Sequence, residues 1–163
     1  AKIYAEIVGY GSTSDAFHMT APDNAADGLT KAIELTLEDA KVSPTDVGYI
    51  NAHGTSTLLN DKIETLGIKR AFKEHAYDLN VSSTKGATGH MLGATGAVES
   101  IFCIKALQTG LIPPTINYSN VDPECDLNYT VNKAVKRDIN YAMNINVGFG
   151  GQNAVVLYKK YGE

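Results

Sequence analysis

The sequence predicts an α/β fold, a mainly parallel sheet covered by helices on both faces. Three observations lead there. Strand-like and helix-like stretches alternate as β-α-β-α-β-α before two closing strands, and that alternation sets parallel strands side by side with crossover helices on both faces. The chain has 163 residues, near the usual size of one domain, and a chain of this length buries about 70% of its unfolded surface. No composition shift or low-complexity linker divides it, so residues 1–163 read as a single domain.

Residues 2–10 are rich in Ile, Val and Tyr and read as the first strand, and G-S-T-S-D at 11–15 reads as a turn. Residues 16–22 show no period and read as a loop. Asp23 or Asn24 caps the first helix, Asp27 sits in its first turn, and Leu29, Ile33, Leu37 and Ala40 form its apolar face. S-P-T-D at 43–46 ends it. Residues 47–51 read as a short buried strand and 53–57 as a polar loop. Leu59, Ile63, Leu66 and Ala71 mark a second helix that runs to about residue 72, and residues 78–83 read as the third strand. Residues 94–108 form a third helix, apolar nearly all round and so expected to be buried; Gly110 caps it and Pro113-Pro114 prevents continuation. Residues 115–134 are loop-rich. Residues 137–147 and 153–159 read as the last two strands, joined by a hairpin-like turn at Gly148-Phe149-Gly150-Gly151.

Bulk properties exclude several functions. A formal charge of −4 and a pI near 5.5 argue against a nucleic-acid binder. No apolar stretch reaches the ~18 residues of a membrane span. With no signal-peptide pattern at the N-terminus, the cytoplasm is the expected compartment. The chain opens without Met in a strand-like run, so Ala1 is not expected to be the natural start. Two cysteines make no disulfide framework. Cys103 sits in an apolar helix and reads as inert core. Cys125 lies between Glu124 and Asp126, whose charges disfavour a thiolate.

The stretch V-S-S-T-K-G-A-T-G-H-M-L-G-A-T-G at 81–96 concentrates the chemistry. A strand end delivers Lys85 and His90 into a glycine-rich loop at the mouth of a helix, where α/β proteins commonly bind ligands. His53 follows the second strand in the same way. Two histidines at one sheet edge can bind a metal, move protons or donate hydrogen bonds to an oxyanion. Asp61 or His18 would have to complete a zinc site, but no compact ligand spacing exists, so no metal is expected. Asp61 and Glu64, three apart on the second helix, can pair with Lys85 or simply face solvent. Thr55, Ser56 and Thr57 offer hydroxyls to a polar ligand or cap the helix. The G-F-G-G turn leads into a strand and is no dinucleotide fingerprint, but can place a backbone N–H near a reacting carbonyl.

N-A-H-G-T-S-T at 51–57, N-D-K-I-E at 60–64, S-T-K-G-A-T-G-H-M-L-G-A-T-G at 83–96, P-P-T-I-N at 113–117 and G-F-G-G at 148–151 together resemble the β-ketoacyl-acyl carrier protein synthases, most closely the type II enzymes of dissociated bacterial fatty acid synthesis. The likeness spans essentially the whole chain, in order. It implies a thiolase-like half, a mixed five-stranded sheet with helices on both faces, and specifically the C-terminal half of the enzyme. It implies His53 and His90 as the catalytic pair that stabilises the enolate formed from a malonyl thioester. Lys85 would hold their network, with Glu64 as its partner and Asp61 nearby. Thr55 and Thr57 would bind the phosphopantetheine arm. Phe149, supported by Gly148 and Gly150, would gate the acyl chain and lend its N–H to an oxyanion hole. The implied partners are acyl carrier protein, an N-terminal half carrying the nucleophilic Cys, and a second copy in a homodimer; no cofactor is implied beyond the carrier's phosphopantetheine. A polyketide ketosynthase, or a non-catalytic chain-length partner, fits the same likeness less well. The chain departs from the pattern at Asn146-Val147, where the family usually has Ser-Phe or Ser-Leu.

Overall fold

The structure, a computed structural model, describes residues 1–162. The main sheet holds β1 (Glu6–Ser14), β2 (Val47–Asn51), β3 (Asn80–Ser82), β6 (Tyr141–Gly148) and β7 (Gln152–Lys159), in the order β1-β7-β6-β2-β3. Between them lie α1 (Asp27–Ala40), α2 (Asn60–Phe72), α3 (Lys85–Thr88) and α4 (Thr95–Thr109). A small ladder pairs β4 (Leu111–Ile112) with β5 (Val135–Lys136).

The sheet is mixed. β2 is parallel to both β3 and β6, while β7 lies antiparallel between β6 and β1. Four strands therefore run one way and β7 alone runs against them. The cause is the tight turn after Gly148. Gly150 and Gly151 adopt φ values of +83° and +78°, conformations open to glycine, and the chain returns at once beside β6 rather than crossing over.

β1 begins and ends four residues later than the sequence suggests. Gly11, which reads as the start of a turn, and Gly9 are both in-strand positions facing α1. A Cβ at Gly9 would lie 2.4 Å from the Thr36 carbonyl oxygen, and one at Gly11 would lie 2.1 Å from that of Ala32. Glycine here permits helix and strand to touch. The start of α1 is prepared by Asp23, whose carboxylate accepts from the N–H groups of Ala25 and Asp27.

Two apolar layers flank the sheet. Leu29, Ile33, Ile50, Ile68, Val81 and Leu157 fill the α1/α2 side, and Tyr49, Cys103, Ala106 and Leu107 the α4 side. The α2 stripe is rotated from the expected one: Leu59 and Leu66 are exposed, while Ile63, Gly67, Ile68 and Ala71 are inward. α4 is likewise buried on one face only, through Thr95, Glu99, Cys103, Ala106 and Leu107, and its Ile101 is open to solvent. No helix among the described residues is long and apolar enough to cross a membrane.

Candidate active site

Parallel β2, β3 and β6 bring their C-terminal ends to one edge of the sheet. His53 follows β2, Lys85 and His90 follow β3, and Gly148 ends β6, so residues far apart in sequence meet there.

The backbone around His53 is held from two sides. Glu64 on α2 accepts the His53 N–H at 2.7 Å on one carboxylate oxygen and the Gly54 N–H at 2.8 Å on the other. From β3, the Ser83 hydroxyl donates to the Gly54 carbonyl at 2.7 Å. Gly54 has φ +40°, and a Cβ there would lie 2.4 Å from that of Ser83. The His53 ring is buried and, among the described residues, its Nδ1 has no partner. Burial, followed by the nearby charges of Lys85 and His90, lowers its pKa to about 3, against a smaller opposing effect of Asn146. His53 is a neutral imidazole at neutral pH.

His90 stands 5.6 Å from His53 between ring centroids, edge to face at 83°. The Leu92 N–H donates to His90 Nδ1 at 3.1 Å, and the Thr95 hydroxyl lies at the same distance. Nδ1 must then carry a lone pair, which places the proton of the neutral ring on Nε2.

Lys85 corrects one expectation. Its Nζ is bonded at 2.5 Å to Glu99 on α4, not to Glu64, and both side chains are buried. Glu64 is occupied with the loop N–H groups and with Asn60 Nδ2 at 3.3 Å. Its pKa rises to about 7, because burial outweighs those donors. Sequence reasoning missed Glu99, although a signal exists: it is the one acid in T-G-A-V-E-S-I-F-C-I and lies four residues from both Thr95 and Cys103, on the inward stripe. Burial raises the Glu99 pKa, and Lys85 and Asn146 oppose the rise. Asp61 caps the loop instead, accepting the Ser56 N–H at 3.1 Å.

A cavity of about 1150 Å³ opens between these groups, lined by His53, His90, Thr55, Thr57, Asn146 and Phe149. The Thr55 and Thr57 hydroxyls are 3.1 Å apart. Phe149 projects from the glycine turn with 80% of its surface exposed. That turn is tied to the loop after β1: Gly150 N–H donates to the Met19 carbonyl at 2.7 Å and Asp15 N–H to that of Gly151 at 2.8 Å. Neither cysteine lines this cavity. Burial raises the Cys103 thiol pKa far above its ordinary value and also raises that of Cys125. Hydrogen-bond donors converge on the cavity from two imidazoles and two hydroxyls; among the described residues, an activated thiol does not.

Residues 4–119 match the family described as β-ketoacyl synthase, C-terminal domain. The chain is 50% identical over 161 residues to 3-oxoacyl-[acyl-carrier-protein] synthase 2 of Staphylococcus aureus (strain COL), covering 99% of this chain and 39% of that protein. It is 48% identical, with the same coverage, to the protein of that name from Synechocystis sp. (strain ATCC 27184 / PCC 6803 / Kazusa). Among solved structures it superposes, with TM-score 0.97 and 38% identity, on a chain of a type II polyketide synthase acyl-carrier protein in complex with its ketosynthase, covering 99% of this chain and 40% of that one. The chain thus spans about two fifths of the length of the curated relatives it matches.

Proposed function

The chain belongs to the β-ketoacyl synthase family, as its C-terminal, thiolase-like part, and from that premise we propose that it supplies the decarboxylation half of a 3-oxoacyl-[acyl-carrier-protein] synthase. The whole enzyme joins an acyl group, held as a thioester on a cysteine of the N-terminal half, to malonyl-acyl carrier protein. Carbon dioxide leaves, the C–C bond forms at the acyl carbonyl, and the cysteine departs as thiolate, leaving a 3-oxoacyl thioester on the carrier.

The observation that carries this reading is the pair of imidazoles 5.6 Å apart in one cavity. Loss of CO₂ from malonyl thioester develops negative charge on the thioester oxygen. Neutral N–H donors held in place stabilise that charge without reorganising during the step. The depressed pKa of His53 and the Nε2–H tautomer of His90 suit both rings to donate. Lys85, paired to Glu99, is close enough to His53 for its charge to help keep that ring neutral. Thr55 and Thr57 are suited to the phosphopantetheine arm that brings the substrate, and Phe149 to a gate over the acyl group. Acyl carrier protein, the N-terminal half and a second copy of the enzyme are the partners of this reading, and no further cofactor is required.

The test is reconstitution. Residues 1–163 alone, given acyl- and malonyl-carrier proteins, should form no 3-oxoacyl product, because Cys103 and Cys125 are both pushed toward the thiol form. Adding the N-terminal half should restore product. Turnover by the isolated chain, or none after recombination, would overturn the assignment. The structural likeness to a polyketide ketosynthase supports a second reading with the same chemistry; a product extended through several unreduced ketones, rather than by two carbons, would select it.

A further inference from the structure

Asn146, where the chain departs from the family's usual serine, makes contacts that give it a part in the site. On β6, its Nδ2 donates to Glu99 Oε2 at 3.0 Å and lies 3.4 Å from Asn144 Oδ1. Glu99 Oε1 is held by Lys85. Asn146 also forms the wall of the cavity that contains both imidazoles, and its amide favours the protonated form of the His53 ring beside it.

One carboxamide therefore touches the buried ion pair and adjoins the buried imidazole. Resting on the reading of the site given above, we propose that Asn146 is a positioning residue that couples the Lys85–Glu99 pair to His53. An amide suits this place because it donates to the Glu99 carboxylate and keeps an acceptor oxygen on the same group without adding charge. Serine is shorter and has a single O–H. The groups facing Glu99 are Lys85 and His90 from the α3 segment, Cys103 on its own helix, Tyr49 on β2 and Asn146 on β6. Lys85 is the cation bonded to it, and Asn146 supplies the second donor.

The experiment uses the full-length enzyme that contains this chain. Asn146→Asp keeps the shape but faces Glu99 with a second carboxylate. Decarboxylation of malonyl thioester should fall about tenfold in kcat with KM within about twofold. The loss relative to the parent should widen as pH rises and the introduced carboxylate ionises beside Glu99, and the deficit in Tm should widen with it. A deficit that is the same at every pH, or parent-like kcat, would mean that Asn146 only fills space and would overturn the proposal. The Tm comparison needs no turnover, so an inactive parent enzyme would remove the functional reading while the coupling is still judged. Should Asn146→Asp fail to fold, Asn146→Ser decides: lowered kcat with unchanged KM supports the coupling, and parent kcat overturns it.

Discussion

His90 shows how one backbone N–H sets chemistry at a distant atom: Leu92 fills Nδ1, so Nε2 is left as the donor. In the full-length enzyme, His90→Ala should cut decarboxylation of malonyl thioester by ~10²–10³, the usual cost of losing a preorganised oxyanion donor. Acylation of the separate cysteine should persist, and a variant decarboxylating at the parent rate would remove His90 from that role. Glu99 is a stability residue first. Glu99→Ala leaves the Lys85 charge buried without its partner, at a cost of about 3–5 kcal/mol, measurable by denaturant unfolding. Replacing both by apolar residues should recover most of that stability but not activity. Glu64 links folding to pH. Its folded pKa of about 7 lies above the ordinary 4.5, so its contribution is fully present below about pH 4.5 and is lost as pH rises through about 7. Over that interval, the Tm of Glu64→Gln should fall less steeply than that of the parent; parallel curves would refute the assignment. The histidines and Lys85 were legible because such side chains stand out against glycines. The partner of Lys85 was not, because a helix acid reads as a solvated face unless the inward stripe is known, and α4 is apolar on several sides.

At the level of elements, the order of strands and helices was legible while their limits and directions were less so. Periodicity reports which residues are buried, not which way a strand runs, so the antiparallel insertion of β7 followed only from its glycine turn. Glycine misled at β1 for the opposite reason. At residues 148–151 glycine bends the chain, whereas at Gly9 and Gly11 it keeps the chain extended and lets α1 approach. Gly11→Ala tests this. Its new methyl group would meet the backbone carbonyl oxygen of Ala32 at 2.1 Å, and backbone cannot rotate aside. A loss of about 1–3 kcal/mol is expected by denaturant unfolding, as for other overpacked contacts. An unchanged midpoint would show that α1 sits farther from β1 than described.

For the molecule as a whole, the outer face of α4 decides whether these residues suffice by themselves. Ala97 and Ile101 are open to solvent and Val98, Phe102 and Ile104 are only partly covered, although the helix crosses the middle of the sheet. Contiguous apolar surface of this kind marks a contact with another folded unit. Under the function proposed above, the candidate is the N-terminal half of the synthase, since this chain spans 39% of the length of its curated relatives. The same substitution should therefore act in opposite directions in two settings. In isolated residues 1–163, Ile101→Lys places a charge on exposed surface, so it should reduce concentration-dependent self-association in sedimentation velocity and leave Tm nearly unchanged. In the full-length enzyme it would bury an unpaired ammonium group between the halves, and Tm and activity should both fall. Equal, small effects in both settings would show that α4 faces water in the complete enzyme and that the halves meet elsewhere.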